Sequence, residues 1–345
     1  MTLRFGLVLP IQSIGDDIPT LVDQLRAEVQ AAEAAGFDAV FLTEFHQARG
    51  GALVSPLLVG AGLLAGTSRI RFGTAVVPTP LHHPVRLAED VVMLDHMSRG
   101  RVILGLGIGH QPPDFRLFGV DRSARVSRTE EAIAVLEQCF SGQPFSHSGE
   151  HFEVTGQVTP APYTAPRPPI WMGAHSAPGL DRSARLADLW LCDPERHIDV
   201  VARLAEQYRA RCAVHGTTPR VGLFREAWIA DSAAECEAEW APHAMQVHRL
   251  YYNVGVYLEE FEPWVTQVQS REDFTLDLLG PGRFLYGSPD EVRATVTEWV
   301  GKTGAEYLAL RLRHPGGPGH DATLSAIRRF GAEVIGPLGA GVVSP

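Results

Sequence analysis

Short apolar runs alternate with amphipathic runs from one end of this 345-residue chain to the other. Eight of the apolar runs read as strands, at 4–9, 38–43, 70–77, 102–107, 169–173, 189–192, 221–230 and 307–312, and most are followed by a helical pattern. Eight βα units in one chain of this length favour a closed (β/α)8 TIM barrel over an open sheet. The whole of 1–345 is read as a single domain.

Local punctuation supports the helices. Pro19 suits a first helical position, Leu21, Leu25 and Ala32 keep one face, and Gly36 ends the run. Ser55-Pro56 opens the second helix, with Ser55 as N-cap. His83-Pro84 opens the third, with Leu87, Val91 and Leu94 on one stripe and Gly100 closing it. Ser127-Arg128-Thr129-Glu130 reads as a capping box for the fourth. Two regions break the pattern. Residues 144–168 form an excursion with short strands. Residues 233–282, after the seventh strand, are far longer than an ordinary connection and carry Trp240, Tyr251, Tyr252, Tyr257, Phe261 and Trp264. This insertion reads either as a lid over the barrel mouth or as a plain extra pair of helices.

Bulk properties narrow the class. Hydrophobic content of 45% and charged content of 20% are those of a globular protein with a sizeable core. A net charge of −10 with no basic run argues against nucleic acid and anionic membrane as partners. No apolar stretch is long enough to span a bilayer, and the four scattered cysteines show no CxxC spacing. A reducing, cytoplasmic compartment is expected.

The stretch 73–119 is the most informative part. Gly105, Gly107 and Gly109 fall at spacing two, so one strand face lacks side chains. Such a face costs stability. Either something flat lies against the backbone, or the glycines form a small-residue layer inside the barrel.

Function in a barrel of this kind sits where strands end. Strand one ends at Pro10-Ile11-Gln12, strand two at Thr43-Glu44-Phe45-His46, and strand three near Ala75-Val76-Val77-Pro78. Strand four ends at Gly107-Ile108-Gly109-His110-Gln111, strand five at Gly173-Ala174-His175-Ser176, and strand eight at Arg311-Leu312-Arg313-His314. Glu44 and His46 share parity. They suit acid–base work, or Glu44 makes a structural hydrogen bond in the barrel mouth. Ser176-Ala177-Pro178-Gly179 at a helix start suits an anion, or Ser176 is an ordinary N-cap. Arg128 could reach the same place and clamp a phosphate. The glycine run lacks the dinucleotide spacing, because Pro112 stands where a glycine is needed. A metal-dependent barrel hydrolase is disfavoured by the lack of an H-x-H or H-E-x-x-H pattern, although His46, His82, His83 and His110 are present.

The chain resembles the bacterial luciferase-like family of flavin-dependent monooxygenases and oxidoreductases over nearly its whole length. The resemblance is strongest in HPVRLAEDVVMLDHMSRGR (83–101) and continues in DFRLFGVD (114–121). It returns in PPIWMGAHSAPGLDRSARLADLW (168–190) and FLYGSPDEV (284–292). It implies reduced FMN (FMNH2), or the deazaflavin F420, held at the C-terminal mouth. The phosphate would lie against Arg128 and Ser176, with the amides of Ala177 and Gly179 close by. The ring would lie over a segment that often carries a non-proline cis peptide, here Ala75-Val76. Gly107 would be the ring's neighbour, with His110 or Gln111 near its rim and His175 beside the phosphate turn.

The chain departs from the luciferase subunit. It has Glu44-Phe45-His46 where that protein has Glu-His-His, Gly107 in place of a reactive cysteine, and Ile108 in place of an arginine. Light emission is therefore not expected. The leading expectation is a two-component FMN-dependent monooxygenase. A separate reductase would supply FMNH2, O2 would add at the flavin C4a carbon, and the peroxide would oxidise an organic substrate. His46 helped by Glu44 would be catalytic, and Gln12, Tyr251 and Tyr252 would meet the substrate. Alternatives are an F420-dependent oxidoreductase, with Arg49, Arg311 and Arg313 as candidates for its acidic tail, or a catalytically silent flavin-binding protein. A homodimer built on the helix 81–98 is a further implication of the resemblance.

Overall fold

The computed structural model describes residues 2–48, 51–270 and 272–339. Eight parallel strands close into a barrel. They are β1 (Arg4–Val8), β2 (Ala39–Leu42), β3 (Arg71–Thr74), β4 (Val102–Gly107), β5 (Ile170–Gly173), β6 (Leu189–Cys192), β7 (Val221–Ile229) and β8 (Tyr307–Arg311). Each pairs with the next in chain order, and β8 returns to β1 through Arg4 opposite Tyr307. The helices between and after them are α1 (Ile18–Ala34), α2 (Pro56–Leu64), α3 (Pro84–Ser98), α4 (Arg125–Phe140), α5 (Ala177–Leu186), α6 (Ile198–His215), α7 (Pro289–Thr303) and α8 (His320–Arg329). No described helix is long and apolar enough to cross a membrane.

Period-two alternation divides the apolar residues between two cores. One lies inside the barrel, where Phe41, Trp171 and Tyr307 meet. Ring centroids there are 5.3 Å apart for Phe41–Trp171 and 4.7 Å for Trp171–Tyr307. The other lies between strands and helices, and includes the α3 stripe Leu87, Val91 and Leu94. Aromatic pairs of this kind contribute about 0.5–1.5 kcal/mol each beyond the area they bury. The barrel is thus plugged at its middle, which leaves only the strand ends open for chemistry.

Several local expectations need correcting. The fourth helix does not begin with a capping box at Ser127. A turn at Arg122–Ala124, capped by Asp121, starts it earlier, so Ser127 lies inside the helix and donates to the Ala124 carbonyl. Glu130 is instead drawn to Arg182 and Arg185. Ser55 holds the N-cap position of α2, but its side chain makes no capping bond. The third strand is not one run. After Thr74 the chain leaves the ladder for two residues, and Val77–Pro78 then pairs with Leu106 and Gly107.

A further strand, Phe284–Gly287, was not expected. It adds to the far half of β7, where nine residues outrun their partner on β6. The excursion contains an antiparallel hairpin, Phe145–Ser148 with Glu153–Gly156. The segment after β7 forms the helices Ala233–Glu239 and Ala241–Asn253, followed by short turns.

Candidate active site

The C-terminal ends of the strands enclose a cleft of about 490 Å³. That size is within the range of small-molecule and cofactor sites. Its first wall comes from β2, β3 and β4: Thr43, Glu44, Ala75, Val76, Gly107 and His110. Its second wall comes from β6, β7 and β8: Asp193, Glu195, Arg196, Phe224 and Arg311. The insert after β7 supplies a ceiling through Tyr251 and residues 254–258 except Tyr257.

The glycine face is now explained. The flat object lying on it is the backbone of β3's own extension. A Cβ on Gly105 would stand 1.9 Å from the Thr74 carbonyl oxygen, and one on Gly107 would stand 2.6 Å from Val76 Cγ2. Thr74 fixes the approach with two bonds. Its hydroxyl donates to the Gly105 carbonyl at 2.8 Å and accepts from the Gly105 amide at 2.9 Å. The Ala75–Val76 peptide bond is cis. Ala75, Val76, Gly107 and Ile108 reach the cleft together, so the glycines let the bulged segment sit level with the mouth.

Glu44 is buried, with its side chain 1% exposed. His46 Nε2 donates to its Oε1 at 3.0 Å and His82 Nε2 to the same atom at 2.8 Å. Its other oxygen has no protein partner. Glu44 faces the cleft, whereas His46 does not line it. His46 and His82 face a second cavity, formed with α2, α3 and Phe118, and the His46 and Phe118 ring centroids are 4.6 Å apart. The imidazole expected at the reacting edge therefore stands behind the carboxylate.

The anion-binding residues also divide. His175 lines the cleft, while Ser176, Ala177 and Gly179 lie just beyond its lining at the start of α5. Ser176 Oγ accepts from the Gly179 amide at 3.3 Å, as an N-cap. Arg128 does not line the cleft. Its Nε donates to the Pro80 carbonyl at 2.9 Å, and its guanidinium covers the Phe152 ring at 4.4 Å. Arg122 lines the cleft instead. His110 is held below its usual range by burial, which Asp114 partly offsets and Arg122 reinforces.

Gln111 sits at the rim as N-cap of the short helix Pro112–Leu117 and is not part of the lining. Of the expected substrate residues, Tyr251 reaches the cleft, and Gln12 and Tyr252 do not. The Tyr252 hydroxyl donates to the Val268 carbonyl at 3.2 Å and its ring packs on Phe274, so it serves the insert's own core.

The second wall was not expected. Glu226 is fully buried beneath it and binds Arg311 through both oxygens, with Arg311 Nε at 2.9 Å from Oε2. His248, from the helix Ala241–Asn253, donates Nε2–H to Glu226 Oε1 at 3.0 Å, and the Tyr257 hydroxyl donates to its Nδ1. Burial opposes ionisation of Glu226, but Arg311 and its imidazole neighbours hold its carboxyl well below the usual range. Asp193-Pro194-Glu195-Arg196 follows β6 directly. The rule that chemistry sits at strand ends points to these residues when β6 is included.

The model of the luciferase-like monooxygenase family matches residues 3–306. The chain belongs to that family. It is 36% identical over 177 residues to the alkanal monooxygenase alpha chain of the Kryptophanaron alfredi symbiont, which covers 51% of this chain and 50% of that one. The chain thus spans about half the length of such curated relatives. Among solved structures it resembles the oxygenating constituent of 3,6-diketocamphane monooxygenase from Pseudomonas putida, a complex with FMN. The TM-score is 0.82 at 18% identity, covering 97% of this chain and 99% of that one. The coenzyme F420-dependent tetrahydromethanopterin reductase of Methanopyrus kandleri gives 0.76 at 19% identity, covering 98% and 100%. At these identities the structural likeness establishes the fold.

Proposed function

We propose that this chain is the oxygenase component of a two-component FMN-dependent monooxygenase, working in the cytoplasm with a separate reductase. The observation that carries the reading is the first wall. A level stretch of backbone, Ala75-Val76 against Gly107-Ile108, leads to a rim that carries the Arg122 guanidinium and the imidazoles of His110 and His175. A planar ring system with an anionic tail suits both parts. Bound reduced flavin would supply two electrons and activate O2, and the chain supplies the rest. Arg122 and the amides at the start of α5 bind the phosphate, with Arg128 as a second layer fixed by Pro80 and Phe152. Glu44, held by His46 and His82, places a buried carboxylate in the cleft wall with one oxygen free of protein partners. The ceiling from the insert excludes water, which strengthens every charge interaction beneath it.

The F420 alternative calls for a basic mouth. Arg313 is committed to Glu28, with 2.6 Å between Nη1 and Oε1, and Arg311 is committed to Glu226. Arg49 lies outside the described residues. This distribution favours FMN.

Fluorescence titration with FMN and with F420, on wild type, Arg122→Ala and Arg128→Ala, tests the reading. The expected result is FMN binding that weakens about tenfold or more in Arg122→Ala and less in Arg128→Ala. Preference for F420, or no flavin binding, overturns it.

A further inference from the structure

The residues after β6 bring two carboxyl groups, an imidazole and a guanidinium to one side of the cleft. Asp193 and Glu195, two residues apart, both line it, and each carboxyl lies within electrostatic reach of the other. Glu195 is 9% exposed. On the outer side, His175 Nδ1 lies 3.4 Å from Asp193 Oδ2, and the His175 side chain is 44% exposed. On the inner side, Arg196 is 1% exposed and lies 4.0 Å from Asp193 Oδ1 through its Nε, which has no hydrogen-bond partner. Its other nitrogens reach the Val256 carbonyl of the insert, at 3.3 and 3.4 Å. A structural ion pair saturates its donors. Here a buried guanidinium nitrogen and Asp193 Oδ1 face each other at the cleft wall without a hydrogen bond to either.

We infer that His175, Asp193 and Glu195 form a proton relay from solvent into the cleft, with Glu195 as the proton donor to the reacting oxygen. The inference rests on the monooxygenase reading. Such a reaction combines substrate, O2 and reduced flavin to give oxygenated substrate, water and oxidised flavin. One O–O bond is cleaved, and the departing oxygen must be protonated. In the relay the Glu195 O–H bond breaks, its electron pair stays on the carboxylate, and the proton goes to that oxygen. Glu195 then regains a proton along Asp193 from His175, which exchanges with solvent. The proton released as flavin is reoxidised balances the one taken up.

The surroundings suit these roles. Burial and the neighbouring Asp193 carboxylate push the Glu195 carboxyl well above its usual range, with Arg196 opposing. Burial also acts on Asp193, but Arg196 and His175 outweigh it and keep that carboxyl ionised. Two carboxyl groups so placed divide into one acid and one base. Other groups facing them are few. Arg225 donates to the Asp193 carbonyl at 2.8 Å and Arg283 to the Glu195 carbonyl at 3.0 Å, so both meet backbone. From the insert, Tyr251 and Tyr257 are held neutral by burial, and Glu262 is paired with Arg283.

Infrared spectroscopy of the flavin-free protein near neutral pH gives a readout independent of turnover. A carboxylic-acid C=O band is expected in wild type, absent in Glu195→Gln and retained in Glu44→Gln. Turnover with flavin then tests the relay itself. In Glu195→Gln, kcat should fall by about 10²-fold or more, with substrate KM little changed and a larger solvent isotope effect. Glu195→Asp should restore part of the rate. Absence of the acid band, or full turnover in Glu195→Gln, overturns the relay. A protein that binds no FMN overturns the function instead, and the infrared result distinguishes the two failures.

Discussion

The two walls of the cleft are built by opposite means. The wall from β2 to β4 is made of backbone and small residues, and its information lies in side chains that are missing. The wall from β6 to β8 is backed by buried ionised groups, and its information lies in pairs that must all be present. The first fails when something is added and the second when something is removed.

The largest effect is expected on the charged side. Glu226→Ala leaves Arg311 buried without its counter-ion and frees His248, tying the insert less firmly to the barrel. A loss of about 3–5 kcal/mol is expected in urea unfolding. Replacing Glu226 and Arg311 together by leucine should cost much less, because no charge is stranded. A double variant as unstable as the single one breaks the comparison.

On the shaped side, Gly105→Ala should cost about 1–3 kcal/mol or more, since the new methyl meets a carbonyl that Thr74 holds in place. Thermal unfolding checks this, and a tolerated alanine would mean that the Thr74–Val76 segment is not held as described.

Acid separates the walls by an amount that is small near neutral pH and grows as pH falls. His314 is buried beside Glu226, and burial first, then Arg311, hold its pKa down to about 3 from 6.5. Its unfolded form takes up protons before the folded form does. The stability it allows is therefore complete above about pH 6.5 and declines as pH falls toward about 3. The slope is at most about 1.4 kcal/mol per pH unit in that window. His314→Leu should flatten the curve of stability against pH between those limits, and an unchanged slope would reject the assignment. Smallest of all, Gly107→Ala meets chiefly the Val76 side chain, with the Val77 carbonyl oxygen in ordinary contact at 4.0 Å. It should cost about 1 kcal/mol and change flavin affinity more than stability.

The same contrast decides what could be read in the sequence. Glycines at spacing two are visible in one line of text, as are strand runs and Pro- or Gly-marked helix ends, so the barrel and its first wall were legible. The object on the glycine face was not, because it is the backbone that extends the preceding strand and carries no residue signature. The second wall depends on partners 85 residues apart in the case of Glu226 and Arg311, and no local pattern records such a pairing. His46 shows a subtler limit. Equal parity with Glu44 suggests one direction for both, but parity holds only inside a strand. β2 ends at Leu42, and beyond it the loop turns His46 to the far side of the carboxylate. Phe284–Gly287 was hidden for a third reason, since its pairing needs the overhang of β7.

The ceiling of the cleft comes entirely from residues 251–258, one short and continuous piece of chain. Everything beneath it is assembled from distant parts of the polypeptide. On the proposed function, a gene encoding this protein can therefore be diversified over a single cassette of codons to alter which organic molecules are admitted, while the positions proposed to meet the flavin are left as they are. Selection, natural or in the laboratory, has the same short handle on substrate range.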